Sequence, residues 1–145
     1  ANKNTLFFSN NKNQFFSIDI KTGSFNWETI VNSTLRPTLI ENFIFTISLE
    51  GYLIVIDKNT GNIIKTNYVF KNIKPKKRKN IKPTGFIVGL KNIYLSTNNG
   101  RLLVIDIESG ETKSILKIDN EKISTPFYQS KNLYLIKDNA IIRLN

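Results

Sequence analysis

Three segments of the chain end an apolar run on an aspartate and follow it, in the same register, with a hydroxyl residue and a glycine. They are "SIDIKTGSFNW" at 17–27, "VIDKNTGNIIK" at 55–65 and "VIDIESGETKS" at 104–114. The motif residues are Asp19, Thr22 and Gly23, then Asp57, Thr60 and Gly61, then Asp106, Ser109 and Gly110; Trp27 completes the first copy alone. Such a turn, used three times, points to one supersecondary unit repeated along the chain, because loops of independent origin share no register. The aspartates are 38 and 49 residues apart. Those intervals bracket the length of a four-stranded propeller blade in which one loop is enlarged.

The segments between the turns agree with that reading. "TLFFS", "QFFSID", "FIFTIS", "YLIVID", "FIVGL", "NIYLST", "RLLVID", "NLYLI" and "AIIRL" have strand length and are rich in β-branched and aromatic residues. Gly, Asn, Asp or Lys clusters separate them, and none holds a helical period over eleven residues. The expected fold is all-β: a partial β-propeller of four-stranded antiparallel blades, two complete and flanked by two incomplete ones. The blades are placed at 5–30, 36–70, 85–118 and 124–144 of a single domain spanning 1–145. The first lacks its inner strand and the last its outer one, so the open edges are expected to invite self-association.

Turn chemistry can be read in the same way. Asn98, Asn99 and Gly100 suggest a type I′ hairpin, and Glu50-Gly51 holds the same place one repeat earlier. In the Asp-x-x-Thr-Gly turn the carboxylate is expected to accept backbone N–H groups. The glycine is expected in a left-handed conformation, where a Cβ costs roughly 1 kcal/mol.

Histidine and cysteine are both absent. That removes disulfides, thiol nucleophiles, the usual zinc sites and every His-based triad. No run approaches the roughly 18 apolar residues of a membrane-spanning helix, and Ala-Asn-Lys-Asn does not start a signal peptide. The net charge is +10. Lys, Asn and Ile are abundant and Arg is scarce, as A+T-rich codon usage produces, so the overall charge by itself names no partner.

In these residues the repeat resembles the PQQ-like (quinoprotein-type) β-propeller family, whose motif runs Ala-x-Asp-x-x-Thr-Gly-x-x-x-Trp. Ser17, Asp19, Thr22, Gly23 and Trp27 match it with one small-residue replacement. Lys65 and Ser114 stand in the tryptophan position of the later copies. "KPTGFIVGLKNIYLSTNNGRLLVIDIESGE" (82–111) and "ISTPFYQSKNLYLIKDNAIIRLN" are most similar to the C-terminal part of the BamB-type outer-membrane assembly lipoproteins. This resemblance implies a non-enzymatic, periplasmic interaction scaffold, lipid-anchored in its full-length form, that docks on the soluble domains of the assembly barrel. It implies a ring of about eight blades, of which this chain encodes about half. The competing implication is a fragment of a PQQ-dependent dehydrogenase, or another propeller enzyme, with its active site in the missing blades.

No catalytic, cofactor-binding or metal-ligating residue is assigned. The three aspartates invite a calcium or catalytic reading, but successive blades carry equivalent positions apart, so they are expected to cap their own turns. Trp27 is expected to pack between neighbouring blades, as in the family, rather than to stack on a ligand. One segment interrupts the repeat: the interblade loop 71–83, "KNIKPKKRKNIKP", whose Pro75 and Pro83 disfavour a strand ladder. Its contiguous Lys76, Lys77, Arg78 and Lys79 are the candidate partner-binding residues, for an acidic protein surface or anionic lipid. Without interleaved aromatics, nucleic acid is not the expected partner.

Overall fold

The computed structural model describes residues 4–144. The chain forms two compact units, Ala1–Asn67 and Tyr68–Asn145. Every sheet is antiparallel, and sequential strands are neighbours throughout.

In the first unit, β1 (Thr5–Ser9), β2 (Gln14–Asp19) and β3 (Phe25–Ile30) make a three-stranded sheet in chain order. Next, β4 (Thr38–Ile40), β5 (Phe43–Ile47), β6 (Tyr52–Asp57) and β7 (Ile63–Tyr68), whose last residue opens the second unit, make a four-stranded one. One cluster draws on both: Phe7, Phe15 and Val31 meet Ile44, Ile54 and Ile56, with Trp27 and Leu39 packed against them. β6 is buried at four consecutive positions, 53–56, as in a strand covered on both faces, whereas every residue of β7 is exposed or half-buried. That gradient accounts for "YLIVID" beside the more polar "IIKTNY".

The second unit repeats the plan. A one-turn helix, α1 (Pro75–Arg78), precedes β8 (Pro83–Val88), β9 (Asn92–Thr97), β10 (Arg101–Asp106) and β11 (Thr112–Lys117), a four-stranded sheet. The last sheet holds β12 (Phe127–Gln129), β13 (Asn132–Lys137) and β14 (Ala140–Leu144). Leu102, Ile123, Leu133 and Leu135 form one core cluster of this unit, and Ile87, Tyr94, Ile118, Ile142 and Leu144 pack around it.

Among the described residues the sheets therefore have three, four, four and three strands, each with the meander order of a propeller blade. Strands run over 5–30, 38–68, 83–117 and 127–144. Pro83 is the first residue of β8, a position where its missing N–H costs no ladder bond.

Two local expectations change. Glu50, Asn98 and Asn99 do not have positive φ; only the glycines do, Gly51 at 93° and Gly100 at 71°. The Gly51 N–H donates to Ser48 O at 3.0 Å and that of Gly100 to Thr97 O at 3.2 Å. The hairpins are thus three-residue loops in which a type I turn is followed by a left-handed glycine, not type I′ turns. The segment 71–83 is also more ordered than a bare loop. Pro75 opens the helical turn, where a missing N–H is harmless, and Ile81 is 5% exposed.

Candidate functional site

The three motif turns have one geometry. Each aspartate N–H donates across the hairpin, Asp19 to Ser24 O, Asp57 to Asn62 O and Asp106 to Glu111 O, all at 2.9 Å. The glycine N–H returns to the aspartate carbonyl, also at 2.9 Å in each copy. Oδ1 of the aspartate accepts the N–H groups inside the turn: Lys21 and Thr22 on Asp19, Asn59 and Thr60 on Asp57, and Ser109 on Asp106. The hydroxyl explains why Thr or Ser is needed. Thr22 Oγ1 and Thr60 Oγ1 donate to their aspartates, and in all three turns the hydroxyl oxygen accepts the N–H two residues on. The glycines close the turns at φ 72°, 76° and 74°.

These bonds favour the ionised carboxylates. Asp19 and Asp57 titrate below the ordinary carboxylate value, chiefly because the N–H groups of Thr22 and Thr60 donate to them. Asp106 is lowered further, first by Lys113, whose ammonium pairs with Oδ2, and then by the Ser109 N–H. A depressed folded-state value means that the stabilisation is complete above the unfolded aspartate value of about 3.9. It is lost as pH falls through the lower folded values. The urea midpoint is expected to fall between about pH 4 and pH 2. In Asp57→Asn it is lower at pH 7, and its fall over that acid range is shallower.

Trp27 shows what one of these turns is for. Its indole N–H donates to Lys58 O at 2.9 Å, inside the second motif turn. A Cβ at Gly61 would lie 2.7 Å from Trp27 Cδ2 and Cε3. Phe7 and Phe15 flank the ring with centroids at 5.9 and 6.1 Å. The tryptophan of the first blade is therefore seated on the Asp57–Gly61 turn of the second. Only a glycine leaves room for it. Sequence reasoning placed Trp27 between blades but missed that Gly61 is the seat, a contact 34 residues away.

The four basic candidates divide. Lys76, Lys77 and Lys79 are exposed. Arg78 is half-buried: Nε donates to Ile73 O, Nη2 to Lys71 O, and the guanidinium stands 5.8 Å from the centre of the Tyr68 ring. It folds the segment back on itself. Asn98 pins the other end, accepting the Lys82 N–H at 2.8 Å and donating to Asn80 O at 2.9 Å. Lys74 and Lys82 are exposed on the same segment and belong with the three lysines, a grouping the sequence reading left out. Among the described residues, no three of the Asp and Glu side chains gather into a metal-ligand set. No helix of the described residues is long and apolar enough to cross a membrane.

Residues 1–67 match the family model described as outer membrane protein assembly factor BamB. No curated protein matches the chain. Among solved structures, BamB from Moraxella catarrhalis superposes with a TM-score of 0.66 at 13% identity, over 97% of this chain and 42% of that one. The computationally designed Ika4 protein gives 0.72 at 13% identity, over 99% and 86%. Quinohemoprotein alcohol dehydrogenase from Comamonas testosteroni gives 0.60 at 19% identity, over 78% and 19%. This chain thus spans less than half of that BamB. At such identities these likenesses establish the β-propeller fold.

Proposed function

We propose, for a chain whose residues 1–67 match the BamB family of PQQ-like repeats, a non-enzymatic interaction scaffold of outer-membrane β-barrel assembly. The observation that carries this reading is that family match. The use of the motif residues supports it: all three aspartates hold their own turns, and Trp27 is spent on packing between blades. In this role the chain works in the periplasm as part of a longer, lipid-anchored protein. Its partner is the soluble region of the assembly barrel, and the rigid blades present edges and loops to that partner.

The alternative, part of a quinone-dependent propeller dehydrogenase, has the fold-level likeness to the Comamonas testosteroni enzyme in its favour. A titration separates the two. The chain is mixed with the purified soluble domains of an outer-membrane assembly barrel, with and without calcium and pyrroloquinoline quinone. Saturable binding to the domains, indifferent to both additives, supports the scaffold. Absence of that binding, together with calcium-dependent uptake of the quinone, supports the enzyme fragment and overturns our reading.

A further inference from the structure

The positive charge is not spread along the chain as codon usage alone would spread it. Residues 58–105 hold eleven of the 21 Lys and Arg and none of the 11 Asp and Glu. The other 97 residues are close to neutral, with ten cations against eleven anions. A drift in codon use adds lysines, but it does not clear carboxylates from one stretch of 48 residues. At the centre of that stretch lies the segment pinned by Arg78 and Asn98.

From this arrangement we propose that Lys74, Lys76, Lys77, Lys79 and Lys82 form a docking surface for an anionic lipid bilayer. All five side chains are exposed. Within the segment 71–83, Lys71 is the cation that has a carboxylate, Glu111 at 3.4 Å, among the described residues. The patch carries only lysine ammonium groups, because its one arginine is turned inward on Lys71 O, Ile73 O and Tyr68. Protein interfaces draw their energy from arginine and aromatic anchors and are depleted in lysine. This patch has neither anchor, and its isoleucines, Ile73 and Ile81, are half-buried and buried. Strongly hydrated point charges on flexible stems suit a diffuse field of phosphate headgroups instead. The hydrogen bonds at both ends fix the backbone that carries the lysines before contact, which lowers the ordering cost of docking.

The proposal stands apart from the scaffold reading, since it is tested without any protein partner. The chain is titrated with vesicles of phosphatidylcholine alone and with vesicles containing phosphatidylglycerol, and binding is followed by co-sedimentation. Binding is expected only to the anionic vesicles, and it is expected to disappear as salt shortens the Debye length. Each lysine near the surface contributes roughly a fivefold factor. Replacing all five by Gln is therefore expected to weaken binding on the order of 10³-fold, with the circular dichroism spectrum of the parent retained because Arg78 is kept. Replacing the same five by Arg retains binding. A control that neutralises five exposed lysines elsewhere, Lys12, Lys21, Lys91, Lys117 and Lys122, stays near the parent. Equal loss in cluster and control variants, or no anionic preference in the parent, overturns the proposal. Binding to soluble polyglutamate but not to vesicles also overturns it and assigns the patch to an acidic protein.

Discussion

Trp27→Ala is expected to lower the stability of the first unit by about 3 kcal/mol, near the lower end of what removal of a large packed aromatic costs. Three losses combine. The ring leaves its place between Phe7 and Phe15, the Gly61 turn loses the surface it sits against, and Lys58 O loses its donor. Trp27→Phe restores part of the apolar contact but not the hydrogen bond, so it is expected to recover about half of the loss. Since Trp27 is the only tryptophan, urea unfolding is followed by circular dichroism at 218 nm, about where β-structure absorbs. A midpoint within error of the parent for Trp27→Ala would mean that the indole is not seated as described.

Gly100→Ala is expected to be as damaging, at about 3 kcal/mol, for a different reason. The residue has φ 71°, which alone costs an alanine about 1 kcal/mol, and its Cβ would lie 2.4 Å from the backbone C and O of Asp119. That backbone has little freedom to retreat. The Ile118 and Asp119 N–H groups both donate to Gly100 O, Arg101 Nη1 donates to Asp119 O at 2.8 Å, and Lys137 pairs with the Asp119 carboxylate at 2.8 Å. Gly23 provides the comparison, because it has the same sign of φ at 72° but nothing within 4 Å of its would-be Cβ. Gly23→Ala is expected to cost only about 1 kcal/mol. Equal effects at the two positions in urea titration would show that conformation, not crowding, sets the cost at Gly100.

The fold was legible because the strands are local patterns. Apolar runs ending on Asp and followed by Thr-Gly or Ser-Gly three residues on marked β2, β6 and β10 and the turns after them, and the side-chain bonds within those turns span no more than four residues. What depends on distance was not legible. That Trp27 rests on Gly61 needs two blades already stacked, and that Gly100 meets Asp119 needs the chain to return across the turn. The Asn-Asn-Gly and Glu-Gly turns misled because a left-handed glycine serves a type I turn with a bulge as well as it serves type I′. Composition marks the glycine and leaves the residue before it undetermined. Pro83 suggested a break but opens β8, since the first residue of a strand tolerates a missing donor.

In the basic segment, sequence reasoning treated four adjacent cations as equivalent, and tertiary contacts make them unequal. Arg78 has backbone carbonyls and a tyrosine ring to bind, while its lysine neighbours face solvent. The lack of carboxylates between Asp57 and Asp106 was in the sequence all along. The net charge of +10 does not locate it along the chain.

Whether the repeated motif is a mechanical seat or a chemical site is decided most directly by a thermodynamic cycle on Trp27 and Gly61. Gly61→Ala in the parent is expected to cost about 3 kcal/mol, of which about 1 is backbone conformation and the rest displacement of the indole. In the Trp27→Ala background the ring is gone, so the same substitution is expected to cost only the conformational part. The two changes are then non-additive by about 2 kcal/mol, within the range for residues in direct contact. Urea titrations of the four proteins, followed by circular dichroism, give that coupling. Additive effects, with Gly61→Ala costing the same whether or not the tryptophan is present, would contradict the account that this turn exists to dock one blade on the next.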